Sequence, residues 1–140
     1  MNSIDLFSGA GGLLIAKKNL GCNILFANEI DDACAVTHHH NFKDVPLIHK
    51  DIKDRKIDEI KQYVGDKGVV LVVGGPPCQG FSNMGNKNSS DPRNYLFENY
   101  VSLVNTFKPK CFLFENVKGL LTMFEGRFFE NIVNSFLSIG

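Results

Sequence analysis

Covalent catalysis by a cysteine needs a rigid mount and an environment that favours the thiolate. Cys78 stands in a stretch that supplies the first: Gly74-Gly75-Pro76-Pro77-Cys78-Gln79-Gly80-Phe81-Ser82. The β-branched, apolar run Val69-Val70-Leu71-Val72-Val73 before it predicts a strand buried on both faces of a parallel sheet. Two glycines end that strand and allow a close approach. Two prolines fix φ and bias the residues before them towards extended backbone. Cys78 is therefore expected just beyond a strand's carboxyl end, where open α/β sheets place ligands. There it is a candidate nucleophile, provided its thiolate is favoured. A lone cysteine beside a turn is more often a packing residue; the stiff approach and the polar loop that follows favour chemistry.

Four other features are expected on the same rim. Cys111-Phe112-Leu113-Phe114 reads as a fifth, buried strand that delivers Glu115 and Asn116. Ser3-Ile4-Asp5-Leu6-Phe7 reads as the first strand, followed by the small-residue turn Ser8-Gly9-Ala10-Gly11-Gly12 and a helix opening at Leu13. Such a strand, glycine turn and helix can bring a nucleotide-like ligand onto backbone N–H groups, although the spacing is not GxGxxG. Asn23 to Asn28 predicts a second strand ending at Glu29, placed where a carboxylate commonly holds ribose hydroxyls. Pro46 to His49 predicts a short third strand. Asp51 after it is suited either to accept from an adenine amine or to cap the next helix.

The elements that position these groups alternate. Asp31 or Asp32 can cap a helix running to about Asn41. His38-His39-His40 near its end do not share a face, so they read as a solvated helix end rather than a metal site. A helix over Lys56 to Val64 should stop at Gly65. The Lys/Asp-rich residues 50–61 read as a solvated face. Residues 82–94 form a long polar segment, with the character of a lid. Helical periodicity marks Tyr95 to Phe107, a short helical turn follows Gly119, and a last helix covers Gly126 to Leu137. Strand and helix in alternation call for an α/β fold with a parallel sheet and its loops on one rim.

With 140 residues, 44% of them hydrophobic, the chain fits one globular domain. No apolar run approaches the ~20 residues of a membrane span, so no membrane partner is expected. No secretory signal is visible. The scattered cysteines Cys22, Cys34, Cys78 and Cys111 suit a reducing compartment, hence the cytoplasm. Formal net charge is zero: residues 1–70 carry nine Lys/Arg and ten Asp/Glu, and residues 71–140 six and five. Neither half has the basic excess of a nucleic-acid surface.

Taken together, Asp5-Leu6-Phe7-Ser8-Gly9-Ala10-Gly11-Gly12, Gly75-Pro76-Pro77-Cys78-Gln79-Gly80-Phe81-Ser82 and Phe114-Glu115-Asn116-Val117 resemble, in order, the cofactor motif and two catalytic motifs of the C5-cytosine DNA methyltransferases. The resemblance implies a Rossmann-like, S-adenosylmethionine-dependent methyltransferase fold, here its first five strands. It implies S-adenosyl-L-methionine as cofactor and double-stranded DNA as substrate, in a prokaryotic restriction–modification setting. By position, Phe7, Gly9, Ala10 and Gly11 would line the cofactor. Glu29 would bind its ribose, and Ile30, Asp51 and Ile52 its adenine. Gly75, Pro77 and Leu96 would complete the pocket. Cys78 would be the nucleophile, Glu115 a buried group at N3 of the cytosine, and Asn116 a support for the cysteine loop. Gln79, Ser82 and Arg93 are the substrate or lid candidates.

The resemblance covers the N-terminal part of a family member. The target-recognition domain and C-terminal segment, which grip phosphates and read bases, have no counterpart here, in keeping with the neutral charge. A truncated or split enzyme is therefore expected, with a second chain as one source of the rest and an exposed apolar edge at the fifth strand. Two alternatives are a transfer-RNA cytosine-5 methyltransferase and a non-catalytic cofactor- or partner-binding remnant.

Overall fold

The computed structural model describes residues 1–77 and 95–140. β1 (Asn2–Leu6) and β4 (Leu71–Gly74) pair at its centre, flanked by β2 (Asn23–Glu29) and β3 (Leu47–His49) on one side and β5 (Cys111–Phe114) on the other. The order β3-β2-β1-β4-β5 is parallel throughout. The chain steps outward from β1 to β3, then returns to β4 on β1's other side. A crevice must therefore open where the direction reverses, at the carboxyl ends of β1 and β4.

Alternation along β1 feeds both faces of the sheet. Ile4 and Leu6 join Phe26, Ile48 and Val72 in a core closed by Ile60 of α3 (Ile57–Val64) and by Tyr100 and Leu103 of α4 (Leu96–Phe107). On the opposite face, Leu14 of α1 (Gly12–Asn19) packs with Ile24, Ala27, Phe42 and Val45. α5 (Arg127–Leu137) adds Ile132 to a smaller cluster with Phe97, Val101 and Leu120. Asp31 caps α2 (Asp32–Asn41) by accepting from the Cys34 N–H at 2.8 Å, and Gly65 ends α3 at φ 56°. Each predicted helix and strand is present, with ends shifted by a residue or two.

Two expectations fail at the level of single residues. His39 and His40 are exposed, but His38 is fully buried. Because neighbouring helical positions face different ways, one of the three must follow Ala35 onto the inner side of α2. There its Nε2 lies 2.9 Å from the Val45 carbonyl and its ring packs on Phe42. β5, whose apolar run by itself reads as buried, leaves Phe112 42% and Leu113 48% exposed, in line with the open edge also expected there: no strand lies beyond it among the described residues. Phe112 and Phe114 instead form one wall of an apolar groove of about 450 Å³ against Ile132, Val133 and Phe136 of α5. The edge strand is strapped to β4 by the buried Tyr100 hydroxyl, which lies 3.1 Å from the Val72 carbonyl and 2.9 Å from the Leu113 carbonyl. Burial, and secondarily the charge of Asp5, push the Tyr100 phenol well above its ordinary range.

Candidate functional site

The glycine turn leaves β1 in left-handed backbone. Phe7 has φ 54°, Gly9 φ 54° and Gly11 φ 97°. For the phenylalanine this conformation costs about 1–3 kcal/mol, so the surroundings must enforce it. They do so through backbone donors: Ser8 N–H to the Asn28 carbonyl at 2.9 Å, Gly9 N–H to Glu29 Oε2 at 2.7 Å, and Gly11 N–H to the Ser8 carbonyl at 3.0 Å. A Cβ on Gly11 would run into the Phe42 ring, so glycine is needed there for packing as well as for φ. Glu29 Oε1 also accepts from the Ile30 and Asp31 N–H groups, both at 2.8 Å. A carboxylate offers about four acceptor directions, so Glu29 has room for one further donor.

Beside the turn lies a cleft of about 200 Å³. Six of the expected cofactor residues line it: Phe7, Ile30, Asp51, Ile52, Pro77 and Leu96. Gly9, Ala10, Gly11, Glu29 and Gly75 are not part of this lining; they belong to the adjoining turn and strand ends. Asp51 caps the short 3-10 helix Ile52–Asp54 by accepting from the Lys53 N–H at 3.1 Å, and it pairs with the Lys53 ammonium at 3.0 Å. Capping and a place in the cleft thus coexist. Two further lining residues, Asn28 and Lys50, were not singled out from the sequence. Asn28 is buried, and its Nδ2 donates to the Ile48 carbonyl at 2.9 Å and the Lys50 carbonyl at 2.8 Å. It thereby holds the exit of β3 against the cleft. The available signal was a polar residue inside an otherwise apolar strand.

The second half of the site is made where β4 and β5 end together. The Glu115 N–H continues the ladder to the Gly74 carbonyl at 3.0 Å. Its carboxylate then lies over Gly75, so closely that a Cβ on Gly75 would sit 2.6 Å from Glu115 Oε2. Asn116 Nδ2 donates to the Pro76 carbonyl at 3.0 Å, and Asn116 Oδ1 accepts from the Val117 N–H at 2.9 Å. Glu115 and Asn116 are thus joined to the Gly-Pro-Pro segment that leads directly into position 78. The burial expected at Glu115 is absent: the residue is exposed, because β5 is an edge. Cys78, Gln79, Ser82, Arg93 and the expected lid lie outside the described residues. Among the described residues no group of His, Cys, Asp and Glu is arranged to hold a metal ion, and no helix is long and apolar enough to cross a membrane.

The whole of residues 1–140 matches the family model for C-5 cytosine-specific DNA methylases. The Type II methyltransferase M.DdeI of Desulfomicrobium norvegicum is 44% identical over 107 residues, which are 76% of this chain and 25% of that protein. The Type II methyltransferase M.MthTI of Methanothermobacter thermautotrophicus is 38% identical over 100% of this chain and 41% of its own length. The crystal structure of a prophage-encoded E. coli protein superposes with a TM-score of 0.84 at 33% identity, covering 99% of this chain and 38% of the other. The chain therefore spans about a quarter to two fifths of the length of these proteins. Its parallel sheet, its glycine turn and its joined strand ends lie within a match that runs from the first residue to the last, and this chain belongs to the C-5 cytosine-specific DNA methylase family.

Proposed function

We propose that this chain supplies the cofactor pocket and catalytic loops of a DNA (cytosine-5)-methyltransferase acting on double-stranded DNA in a prokaryotic cytoplasm. The observation that carries the reading is the joining of the β4 and β5 exits. Glu115 lies over Gly75 and Asn116 bonds to Pro76, so a carboxylate and a tethering amide flank the approach to Cys78. The cleft fits S-adenosyl-L-methionine in kind. Phe7, Ile30, Ile52, Pro77 and Leu96 offer a flat apolar slot for its adenine, Asp51 an acceptor at the slot's rim, and Glu29 an acceptor for a ribose hydroxyl. When bound, this cofactor supplies an electrophilic methyl group.

The residues then divide the work. C5 of cytosine is too weak a nucleophile to take a methyl group unaided. The Cys78 thiolate adds to C6, and the displaced ring electrons make C5 an enamine carbon. Glu115, at N3, donates a proton or a strong hydrogen bond as charge builds on the ring. After methylation, loss of the C5 proton and departure of the Cys78 sulfur restore the aromatic ring. Asn116 keeps the Gly-Pro-Pro approach in place through Pro76. C6 is out of reach within a duplex, so the base must be flipped out at a cost of a few kcal/mol. Gln79, Ser82 and Arg93, on the segment following the nucleophile, are assigned to substrate contact and closure over that base.

The chemistry half needs a cover. The edge of β5 and the Phe112–Phe136 groove are apolar and open, and Glu115 is exposed beside them. The missing cover is assigned to the remainder of a family-length protein, contributed by the same polypeptide or by a second chain, which also reads the DNA. Labelled methyl transfer to duplex DNA tests this. The 140-residue chain alone should show little transfer, and adding the product of an adjacent reading frame should restore it. Robust turnover by the chain alone would overturn the need for a cover. In the completed enzyme Cys78→Ser should abolish covalent trapping on DNA containing 5-fluorocytosine; continued trapping would exclude Cys78 as the nucleophile.

A further inference from the structure

We propose that Lys17 and Asp5, a buried ion pair beneath the glycine turn, are positioning residues that set the turn's geometry for the cofactor. The cofactor itself rests on the functional reading above. Lys17 Nζ lies 3.0 Å from Asp5 Oδ2 and donates to the Ile4 carbonyl at 3.3 Å. Asp5 is wholly buried and Lys17 is 4% exposed. Asp5 lies in β1 just before the turn, and Lys17 lies in the last turn of α1. The pair therefore closes a ring of chain that contains the whole turn from Phe7 to Gly12 together with the first half of α1.

Stability alone does not account for such a pair. Burial pushes Asp5 up and Lys17 down; the charge of each partner opposes this, with smaller help from His38 at Asp5 and from Cys22 at Lys17. Apolar residues of similar volume commonly serve a fold as well or better. The Lys17 ammonium is placed between two oxygens of β1, Asp5 Oδ2 at 3.0 Å and the Ile4 carbonyl at 3.3 Å, so it fixes a position, whereas apolar surfaces can slide. A fixed position is what this turn needs. Phe7 sits at φ 54°, and strained backbone of this kind persists only where it is over-determined. The arm towards β2 is held by Ser8 and Gly9, which donate to Asn28 and Glu29. The arm towards α1 is held at the surface by Lys18, which donates to Asp44 at 2.6 and 2.8 Å, and in the interior by fewer groups. That helix is 8 residues long, and its buried residues are Leu14 and Lys17. Leu14 gives it depth, and Lys17 gives it an angle.

Two paired substitutions in the 140-residue chain test the idea. Asp5→Leu with Lys17→Met removes charge and direction while keeping apolar volume. Asp5→Asn with Lys17→Gln removes charge and keeps a hydrogen-bonded link. The apolar pair is expected to stay folded, with a melting temperature near the parent's. The amides of Ser8 to Gly12 should then exchange with solvent at least about tenfold faster while those of the core strands do not. Affinity for S-adenosylmethionine should fall by about tenfold or more, the polar pair restoring both quantities most of the way. Unchanged turn exchange in a folded apolar variant would overturn the proposal. So would failure of that variant to fold, since the pair would then be holding the domain rather than the turn. If the parent chain itself does not bind S-adenosylmethionine, the cofactor reading fails, and the exchange data still decide the role of the pair.

Discussion

Gly74 and Gly75 are neighbours, yet the same added methyl group should do opposite things at the two positions. A Cβ on Gly74 would lie 2.5 Å from the Leu6 carbonyl oxygen and 3.0 Å from both Leu6 Cβ and Tyr100 Cε2. Ordinary contact begins at 3.4 Å, so the Leu6 carbonyl would have to retreat by about 0.9 Å. It cannot do so freely, because Leu6 and Gly74 face each other across the central β1–β4 ladder. Overpacking of this kind costs about 3 kcal/mol, at the upper end of the usual range. At this chain length that is a fall in melting temperature of about 10 °C. A Cβ on Gly75 meets Glu115 Oε2 at 2.6 Å, the far end of an exposed, rotatable side chain. Turning that side chain aside costs about 1 kcal/mol. The loss of freedom in the unfolded chain returns about 0.4–1 kcal/mol, so the net change is close to zero. Thermal unfolding followed by circular dichroism should therefore separate Gly74→Ala, strongly destabilised, from Gly75→Ala, almost unchanged. In the completed enzyme, Gly75→Ala should nonetheless lose about a hundredfold in turnover, because it moves the Glu115 carboxylate by close to an ångström. Equal melting shifts for the two variants, or a shift below about 3 °C for Gly74→Ala, would refute the packing argument.

Four other outcomes follow from single contacts. Glu29→Ala should release the Gly9 N–H as well as any ribose hydroxyl, lowering affinity for S-adenosylmethionine by about tenfold, readable by calorimetry; unchanged affinity would sink the ribose assignment. Asn28→Ala should strand the Ile48 and Lys50 carbonyls, costing about 1–3 kcal/mol in denaturant unfolding. Leu113→Lys, on the open edge of β5, should reduce self-association in sedimentation without lowering the melting temperature, because the side chain is 48% exposed. Tyr100 gives the alkaline behaviour. Its folded pKa is raised, so its contribution is fully present below the ordinary phenol value of about 10 and is lost as pH climbs beyond it. Ultraviolet titration should find one tyrosine that ionises only as the chain unfolds, and Tyr100→Phe should remove that feature.

The order of elements and the rim of loops could be read from sequence because each rests on a local pattern. An apolar run bounded by glycine or proline makes a strand wherever it finds neighbours, and Asp31 and Gly65 punctuate their helices by their own chemistry. Of the six cleft residues, Asp51 could be read from its place after a strand, while Phe7, Ile30, Ile52, Pro77 and Leu96 were implied by the family resemblance. Lys17 and His38 were missed for the opposite reason. Both are polar residues near helix C-termini, where solvent exposure is the ordinary outcome. What buries them is a partner distant in sequence or beyond the helix: Asp5 for Lys17 and the Val45 carbonyl for His38. Asn28 belongs to the same class, its role being set by the carbonyls of Ile48 in β3 and of Lys50 just beyond it.

The two halves of the site differ in how far they are finished, and the difference has one physical origin. β1 and β2, which carry the glycine turn and Glu29, are flanked by strands on both sides and buried over nearly their whole length. β5, which leads into Glu115 and Asn116, has one neighbouring strand among the described residues and is largely open. Cofactor binding should therefore be a property of these residues by themselves, whereas methyl transfer should require whatever covers β5. The consequence is measurable in one preparation. Isothermal calorimetry of the 140-residue chain should detect S-adenosylmethionine, while its methyl-transfer rate stays at background until the covering polypeptide is added. Binding that also depended on that addition would show the cofactor half to be as unfinished as the catalytic half, and would refute the division drawn from the sheet.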